Sequence, residues 1–190
     1  MPLNIQGIVV HCSASKWGDA EAINQWHTSK GWDGIGYHGV ILNGFRSYAD
    51  LTKDRYSREL DGKIEPGRGE NKMGAHCLAE GMNQCTLGVC LIGVPGFRNT
   101  DYPETFSDIC IKTCKEAKLI YATERQLNAL VHYLTVKCET YKLDPTGRFI
   151  HNGKKQYVIS QHSDHDKGKP LCASLYMDTI RRLVAKNMEG

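Results

Sequence analysis

Residues 5–12, IQGIVVHC, predict a buried β-strand that ends in His11. The β-branched run within this segment is typical of a strand that is covered on both faces. A second apolar run, at 157–159, leads into His162, and Cys172 follows that histidine by ten residues. Two imidazoles at strand ends and one thiolate suit a three-ligand zinc site with a fourth position for water. This ligand set favours a hydrolase.

Length and composition place the chain among ordinary globular proteins. Its 190 residues, 41% hydrophobic and 24% charged, predict one domain over residues 1–190. The net charge of +3 is too small to predict a nucleic-acid partner, although it would not repel an anionic polymer such as a cell wall. Membrane association is not expected, because no apolar run approaches the roughly 20 residues that span a bilayer. The N-terminus lacks signal-peptide features, so we expect the protein to stay in the cytoplasm until it is released.

Eight cysteines raise the question of disulfides or a second metal site. A cytoplasmic location predicts that the thiols stay reduced, and several lie in apolar stretches typical of core positions. Cys110 and Cys114 are four residues apart on a predicted helix, which would allow a shared metal. No histidine lies close to them in sequence, so buried or incidental thiols are the favoured interpretation.

Strands and helices alternate along the chain. Asp19 is suited to cap a helix that stops at Gly31, Thr123 and Gln126 form a capping box, and a last helix carries Ile180. We expect an α/β fold with a central mixed β-sheet flanked by helices. Four apolar segments predict strands: 5–12, 36–43, 86–93 and 156–161. Residues 54–72 are polar and predict a surface loop, and 97–120 predict a loop followed by a short helix.

The sequence resembles the zinc-dependent N-acetylmuramoyl-L-alanine amidases, a group that includes bacteriophage lysozyme-amidases and peptidoglycan recognition proteins. Four blocks in the same order carry this resemblance, which covers nearly the whole chain and is weakest across 97–120. It implies a single domain with a peptidoglycan recognition protein-like fold. The blocks are IVVHCS at 8–13, GYH at 36–38, GAH at 74–76 through Asn83 to GVCLIG at 88–93, and QHSD at 161–164 followed by Cys172.

The resemblance implies that His11, His162 and Cys172 bind Zn²⁺. His165 is a rival to His162, three residues farther along. We favour His162 because it directly ends the strand and has the family's spacing to Cys172. Asp164 is suited to orient a ligand or the loop, as carboxylates beside metal ligands do.

Two further residues are implied to act in catalysis. Tyr37 matches the family's active-site tyrosine, whereas His38, next along the strand, should face the opposite side and serve a structural role. Related amidases carry a lysine two residues before the last ligand, but this chain has Pro170 there. Lys169 is therefore the expected catalytic lysine, and Lys167 is the alternative.

Three residues are expected to contact substrate. His76 and Asn83 match positions near the family's substrate groove. Arg68 lies in a glycine-flanked loop and could meet a peptide carboxylate by a bidentate contact.

The resulting hypothesis is hydrolysis of the amide between N-acetylmuramic acid and L-alanine in peptidoglycan. A compact phage endolysin fits best, monomeric and released through a holin-dependent pathway. One alternative is a cytoplasmic amidase that recycles soluble muropeptides. Another is a module that binds peptidoglycan without cutting it, which the presence of Cys172 argues against. Residues 97–120 are expected to form either a lid or a packing insert.

Overall fold

The computed structural model describes residues 3–93 and 122–190. The predictions for 97–120, including those for Cys110 and Cys114, lie outside the described residues. None of the helices in the described ranges has the length and apolar character needed to cross a membrane.

A five-stranded sheet in the order β3-β2-β4-β1-β7 forms the centre of the fold. Strand β1 (Gly7–Cys12) runs parallel to both β4 (Thr86–Leu91) and β7 (Ile159–Gln161). Strand β2 (Gly39–Ile41) is parallel to β4, whereas β3 (Ile64–Pro66) is antiparallel to β2. The expected mixed β-sheet flanked by helices is therefore confirmed.

Strand β1 is buried on both faces, as its β-branched sequence predicted. Ile8 and Val10 belong to the main core, whereas Val9 packs with Cys77 and Met82 on the opposite face. Because side chains alternate along a strand, His11 lies on the same face as Val9. The sheet thus divides a large apolar core from a second face on which polar groups can gather.

Helices begin where the capping signals predicted. Asp19 caps α1 and accepts a hydrogen bond from the amide of Ala22, and the capping box of Thr123 and Gln126 starts α3. The helices are α1 (Ala20–Thr28), α2 (Tyr48–Thr52), α3 (Glu124–Tyr141), α4 (His162–His165) and α5 (Met177–Met188). A 3₁₀ segment, Ala79–Gln84, precedes β4.

Helices α3 and α5 cover the core face of the sheet. Leu130 and Leu134 of α3 and Ile180 and Val184 of α5 are fully buried in the main core. Full burial of one such side chain contributes about 1.5–3 kcal/mol, so this apolar layer holds β1 and its neighbours rigidly in register.

Three local predictions differ from the structure. Strand β2 is shorter than the predicted 36–43, and the predicted loop at 54–72 contains the edge strand β3. The predicted strand at 156–161 is divided between the end of β6 and β7. Strands β5 (Arg148–His151) and β6 (Lys154–Tyr157) pair in a separate antiparallel hairpin. This hairpin is largely polar and exposed, so it carries no apolar periodicity that would have predicted it.

Candidate metal centre

His11, His162 and Cys172 meet at one end of the sheet. Each offers one ligand atom, and the three atoms lie within 4.8 Å of one another. Nδ1 of His11 is 3.8 Å from Sγ of Cys172, and the His11 and His162 ring centroids are 4.7 Å apart. A metal ion could be held by this set, and zinc favours such a combination of imidazoles and thiolate.

The sheet register explains why the two histidines meet. Val10 of β1 lies opposite Gln161 of β7, so His11 and His162 occupy the next positions at the ends of neighbouring parallel strands. Cys172 returns to the same place because its carbonyl accepts a 2.6 Å hydrogen bond from the Ser163 amide. The neighbouring strands and one short loop thus bring together His11 and Cys172, which are 161 positions apart in the sequence.

The surroundings favour uncharged ligands. Burial lowers the pKa of His11 well below its ordinary value, and the neighbouring His76, His162 and His165 lower this pKa further. The imidazole is therefore neutral and has a free lone pair. Contact with the Cys12 thiol and burial raise the pKa of Cys172, so in the metal-free protein this residue is a thiol that must lose its proton to bind metal.

A cavity of about 470 Å³ opens beside the cluster, and two of its three residues, His162 and Cys172, lie on the wall. Tyr37, His76 and Lys169, all predicted from sequence, lie on its wall. Lys169 rather than Lys167 borders the cavity, which favours the first of the two candidate lysines. The remaining lining residues include Trp26, His27, Lys30, Trp32, Pro170 and Leu171.

Tyr37 is positioned beside the metal-type ligands. Its ring centroid is 5.1 Å from that of His11. Burial raises the pKa of Tyr37 well above its ordinary value, and the nearby Cys90 and Cys172 thiols raise this pKa further. In the metal-free protein the side chain is therefore a neutral phenol at physiological pH, able to donate a hydrogen bond.

His76 contacts His11 directly. Nδ1 of His76 lies 3.1 Å from Nε2 of His11, on the side of the His11 ring that faces away from Cys172. Burial, together with the nearby His38, lowers the pKa of His76 to about 3, so this ring is also neutral. Although His76 borders the cavity, its polar atoms are engaged by protein groups. The expected contact with substrate stays a prediction.

Asn83 and Arg68 hold loops together. Oδ1 of Asn83 accepts hydrogen bonds from the amides of His76 and Cys77, at 2.8 and 2.7 Å. The Arg68 guanidinium donates to three backbone carbonyls, those of Asp33, Ile35 and Met73, at 2.6–3.0 Å. Neither side chain lies on the wall of the cavity. Their expected contacts with substrate also stay predictions.

His38 and Asp164, the remaining polar residues singled out from the sequence, hydrogen-bond to backbone groups of the fold. His38 accepts a hydrogen bond from the Gly88 amide through Nδ1 and contacts the Lys72 carbonyl through Nε2, which agrees with its predicted structural role. Asp164 accepts from the amide of Gln161 and so caps the short helix that begins with His162. This contact agrees with the prediction that Asp164 orients the loop.

The cavity wall also contains residues that sequence reasoning missed. Lys30 and Trp32 follow helix α1, and the Trp32 ring stacks near His27 with a centroid distance of 4.4 Å. Nothing in the local pattern distinguishes these residues from an ordinary helix end. Only the packing of α1, through Ile23, against Val40 of β2 and Cys90 of β4 brings them to the site.

Comparison with known proteins agrees with this geometry. The sequence profile of the N-acetylmuramoyl-L-alanine amidase family, Amidase_2, matches residues 1–172. Among curated relatives, the endolysin of Escherichia phage T7 is 37% identical over 89 residues, which are 45% of this chain and 46% of that protein. The endolysin of Enterobacteria phage T3 is 36% identical over 91 residues, 46% of this chain and 48% of that protein. The chain thus spans about half the length of the curated relatives it matches.

Solved structures share the fold at low sequence identity. The amidase LysC from Clostridium intestinale has a TM-score of 0.59 at 19% identity, over 96% of this chain and 89% of that one. Drosophila PGRP-LB has a TM-score of 0.55 at 17% identity, over 94% and 80% of the two chains. At these identities the likeness concerns the fold alone. Because the family profile covers most of the sequence, this chain belongs to the N-acetylmuramoyl-L-alanine amidase family.

Proposed function

We propose that this protein hydrolyses the amide between the lactyl group of N-acetylmuramic acid and L-alanine in peptidoglycan. The observation that carries this proposal is the cluster of His11, His162 and Cys172, whose ligand atoms lie within 4.8 Å of one another beside a cavity of about 470 Å³. Membership of the amidase family supports the choice of bond.

The three ligand residues would hold zinc. Two neutral imidazoles and one thiolate form a donor set that zinc favours and that leaves one position open. Bound zinc supplies a Lewis acid that polarises a carbonyl and lowers the pKa of water to about 7. The buried, uncharged environment of His11 keeps this ligand ready to bind at neutral pH.

Tyr37 and Lys169 would act on the scissile amide. As a neutral phenol on the cavity wall, Tyr37 is suited to donate a hydrogen bond that orients the attacking water or the substrate carbonyl. The exposed Lys169 ammonium can approach the oxyanion that develops when water adds to the carbonyl. Placed donors of this kind typically contribute about 10²–10³ in kcat.

The cavity wall suits an anionic, partly sugar-like substrate. Lys30 and Lys169 place two cations on the wall, and the described lining residues include no Asp or Glu. Stem peptides carry free carboxylates, so these cations would attract them. Trp32 is 43% exposed and offers a flat apolar surface of the kind on which sugar rings stack.

In the cell, we propose that the protein acts as a phage endolysin. The supporting observation is that the curated relatives from phages T7 and T3 are endolysins. Under this proposal the protein is a monomer that accumulates in the host cytoplasm and reaches the cell wall after a holin opens the inner membrane.

The first test is digestion of purified Gram-negative sacculi, with released material identified by mass spectrometry. Intact stem peptides with a free N-terminal L-alanine are expected, lost on chelation and restored by zinc. Cys172→Ser should lose zinc and activity together. Cys138→Ser, which alters a thiol on the buried face of helix α3, is the matched control and should keep both. Full activity of Cys172→Ser would overturn the ligand assignment.

The same assay separates the alternatives. Cleavage of small anhydro-muropeptides without digestion of sacculi would support a recycling amidase. Binding to sacculi by zinc-loaded protein without any released peptide would support a recognition module. Either result would overturn the endolysin proposal.

A further inference from the structure

His76 lies between a metal-type ligand and a backbone carbonyl. Its Nδ1 is 3.1 Å from Nε2 of His11, and its own Nε2 is 3.3 Å from the carbonyl oxygen of Thr86. A carbonyl oxygen can only accept a hydrogen bond, so Nε2 of His76 carries the proton. In a neutral ring Nδ1 is then an acceptor, and His11 must donate to it through Nε2.

This chain of hydrogen bonds decides which nitrogen of His11 is free. With its proton on Nε2, His11 has its lone pair on Nδ1, the atom that lies 3.8 Å from Sγ of Cys172. The opposite tautomer would direct an N–H at that sulfur and would leave no lone pair on Nδ1, the nitrogen that faces the other ligand residues. It would also place two acceptor nitrogens, one from each ring, 3.1 Å apart, which is unfavourable for buried groups.

The position of the His76 ring is itself built into the fold. A Cβ atom at Gly88 would lie 2.5 Å from Cγ of His76, and one at Gly74 would lie 2.4 Å from its Cδ2. Both glycines therefore make room for the ring. Asn83 fixes the His76 backbone by accepting a hydrogen bond from the His76 amide, and the His76 side chain is largely buried.

From this geometry we propose that His76 is a positioning residue, which holds His11 in the tautomer that presents Nδ1 to zinc. His76 does so by accepting a hydrogen bond from Nε2 of His11 and donating one to the Thr86 carbonyl. We call this chain of two hydrogen bonds the relay. The proposal rests on the zinc-binding role proposed above for His11. It assigns His76 a task within the protein rather than a contact with substrate.

The direct test is two-bond ¹H–¹⁵N correlation NMR of metal-free protein labelled with ¹⁵N-histidine. In the wild-type protein, the expected result is a protonated Nε2 and an unprotonated Nδ1 for His11. His76→Leu should shift His11 to a mixture of tautomers or to the opposite one. A wild-type His11 protonated on Nδ1 would overturn the proposal without any variant.

Zinc affinity provides a second test of the positioning role of His76. Removing the hydrogen-bond partner of a zinc-bound histidine typically weakens metal binding by roughly 10–100-fold, and we expect a loss of this size for His76→Leu in competition with a chelator. His76→Asn, whose amide oxygen can replace the Nδ1 acceptor, should recover part of it. His132→Asn, on the exposed face of α3, is the matched control and should bind zinc as the wild type does.

A folded His76→Leu protein with unchanged His11 tautomer and unchanged zinc affinity would overturn the proposal. If that variant does not fold, Gly88→Ala displaces the same ring without removing it and should produce the same shift in tautomer. The NMR measurement uses neither zinc nor substrate. An inactive wild-type enzyme would therefore overturn the hydrolase proposal and not this one.

Discussion

Nδ1 of His165 lies 3.1 Å from Oε2 of Glu80, and Nε2 of the same ring lies 2.8 Å from Oγ of Ser160. Both ring nitrogens are thus engaged by protein groups, although His165 follows His162 by only three residues. The short helix α4 turns the two imidazoles in different directions. This contact gives the physical reason why His162 and not His165 joins the cluster with His11.

The first prediction distinguishes the roles of His162 and His165 in zinc binding and in stability. His162→Asn should weaken zinc binding by more than about 100-fold, because even the loss of a ligand's hydrogen-bond partner costs roughly 10–100-fold. His165→Asn should bind zinc within a few-fold of wild type. Its free energy of unfolding should fall by about 1–3 kcal/mol, because Glu80 and Ser160 lose the ring with which they hydrogen-bond. Chelator competition and urea unfolding measure the two effects. Equal loss of zinc in both variants would contradict the assignment.

Glu80 provides a prediction about pH and stability. Hydrogen bonds from Lys154, His165 and Gln156 lower the pKa of Glu80 from 4.5 to about 2. A carboxyl group whose pKa is lowered by folding stabilises the protein above its unfolded pKa, and this contribution disappears as the pH falls from about 4.5 to about 2.

Glu80→Gln isolates this contribution. At pH 7 the variant should melt about 2–4 °C below wild type, since a partly screened carboxylate network contributes roughly 1 kcal/mol. The difference in Tm should shrink as the pH is lowered toward 2. Both proteins share the positive φ of 56° at this position, so backbone strain cancels in the comparison. A difference in Tm that is constant from pH 7 to pH 3 would disprove the linkage.

The candidate lysines can be compared directly. Lys169→Ala should lower kcat by about 10²-fold with little change in KM, because an ammonium near the developing oxyanion acts only in the transition state. Lys167→Ala, two residues away and off the cavity wall, is the matched control and should stay within about twofold of wild type. If Lys167→Ala shows the larger loss, the roles of the two lysines are reversed.

Substitution of Lys30 tests whether positive charge on the cavity wall attracts the substrate. Lys30→Glu should raise KM for stem-peptide substrates by about tenfold, since it replaces attraction to a carboxylate by repulsion. Lys53→Glu makes the same change in net charge at an exposed position away from the cavity. The two variants are compared at low and high salt. A similar rise in KM for both would indicate a general effect of net charge rather than a contact at Lys30.

Zinc binding should also release a proton. Because contact with the Cys12 thiol and burial raise the pKa of Cys172, this residue is protonated in the metal-free protein at neutral pH and must lose that proton to bind. The neutral His11 releases none. Calorimetry at pH 7.5 in buffers of different ionisation enthalpy should report about one proton per zinc, and zinc affinity should rise about tenfold per pH unit. No proton release would mean that the thiolate is already formed.

Local patterns in the sequence determined much of this protein. The β-branched residues around Val9 predicted β1, and Asp19 and the Thr123 capping box predicted where α1 and α3 begin, because these signals act within one or two turns of chain. The metal-type residues were recognisable because His11 and His162 each follow an apolar run.

Tertiary structure alone decided how these residues work together. The parallel register of β1 and β7 places His11 beside His162, and the relay from Thr86 through His76 selects the free nitrogen of His11. Lys30 reaches the cavity only through the packing of α1. These relationships join residues far apart in sequence, so no local pattern records them. They arise when burial of the core fixes the strands in one register.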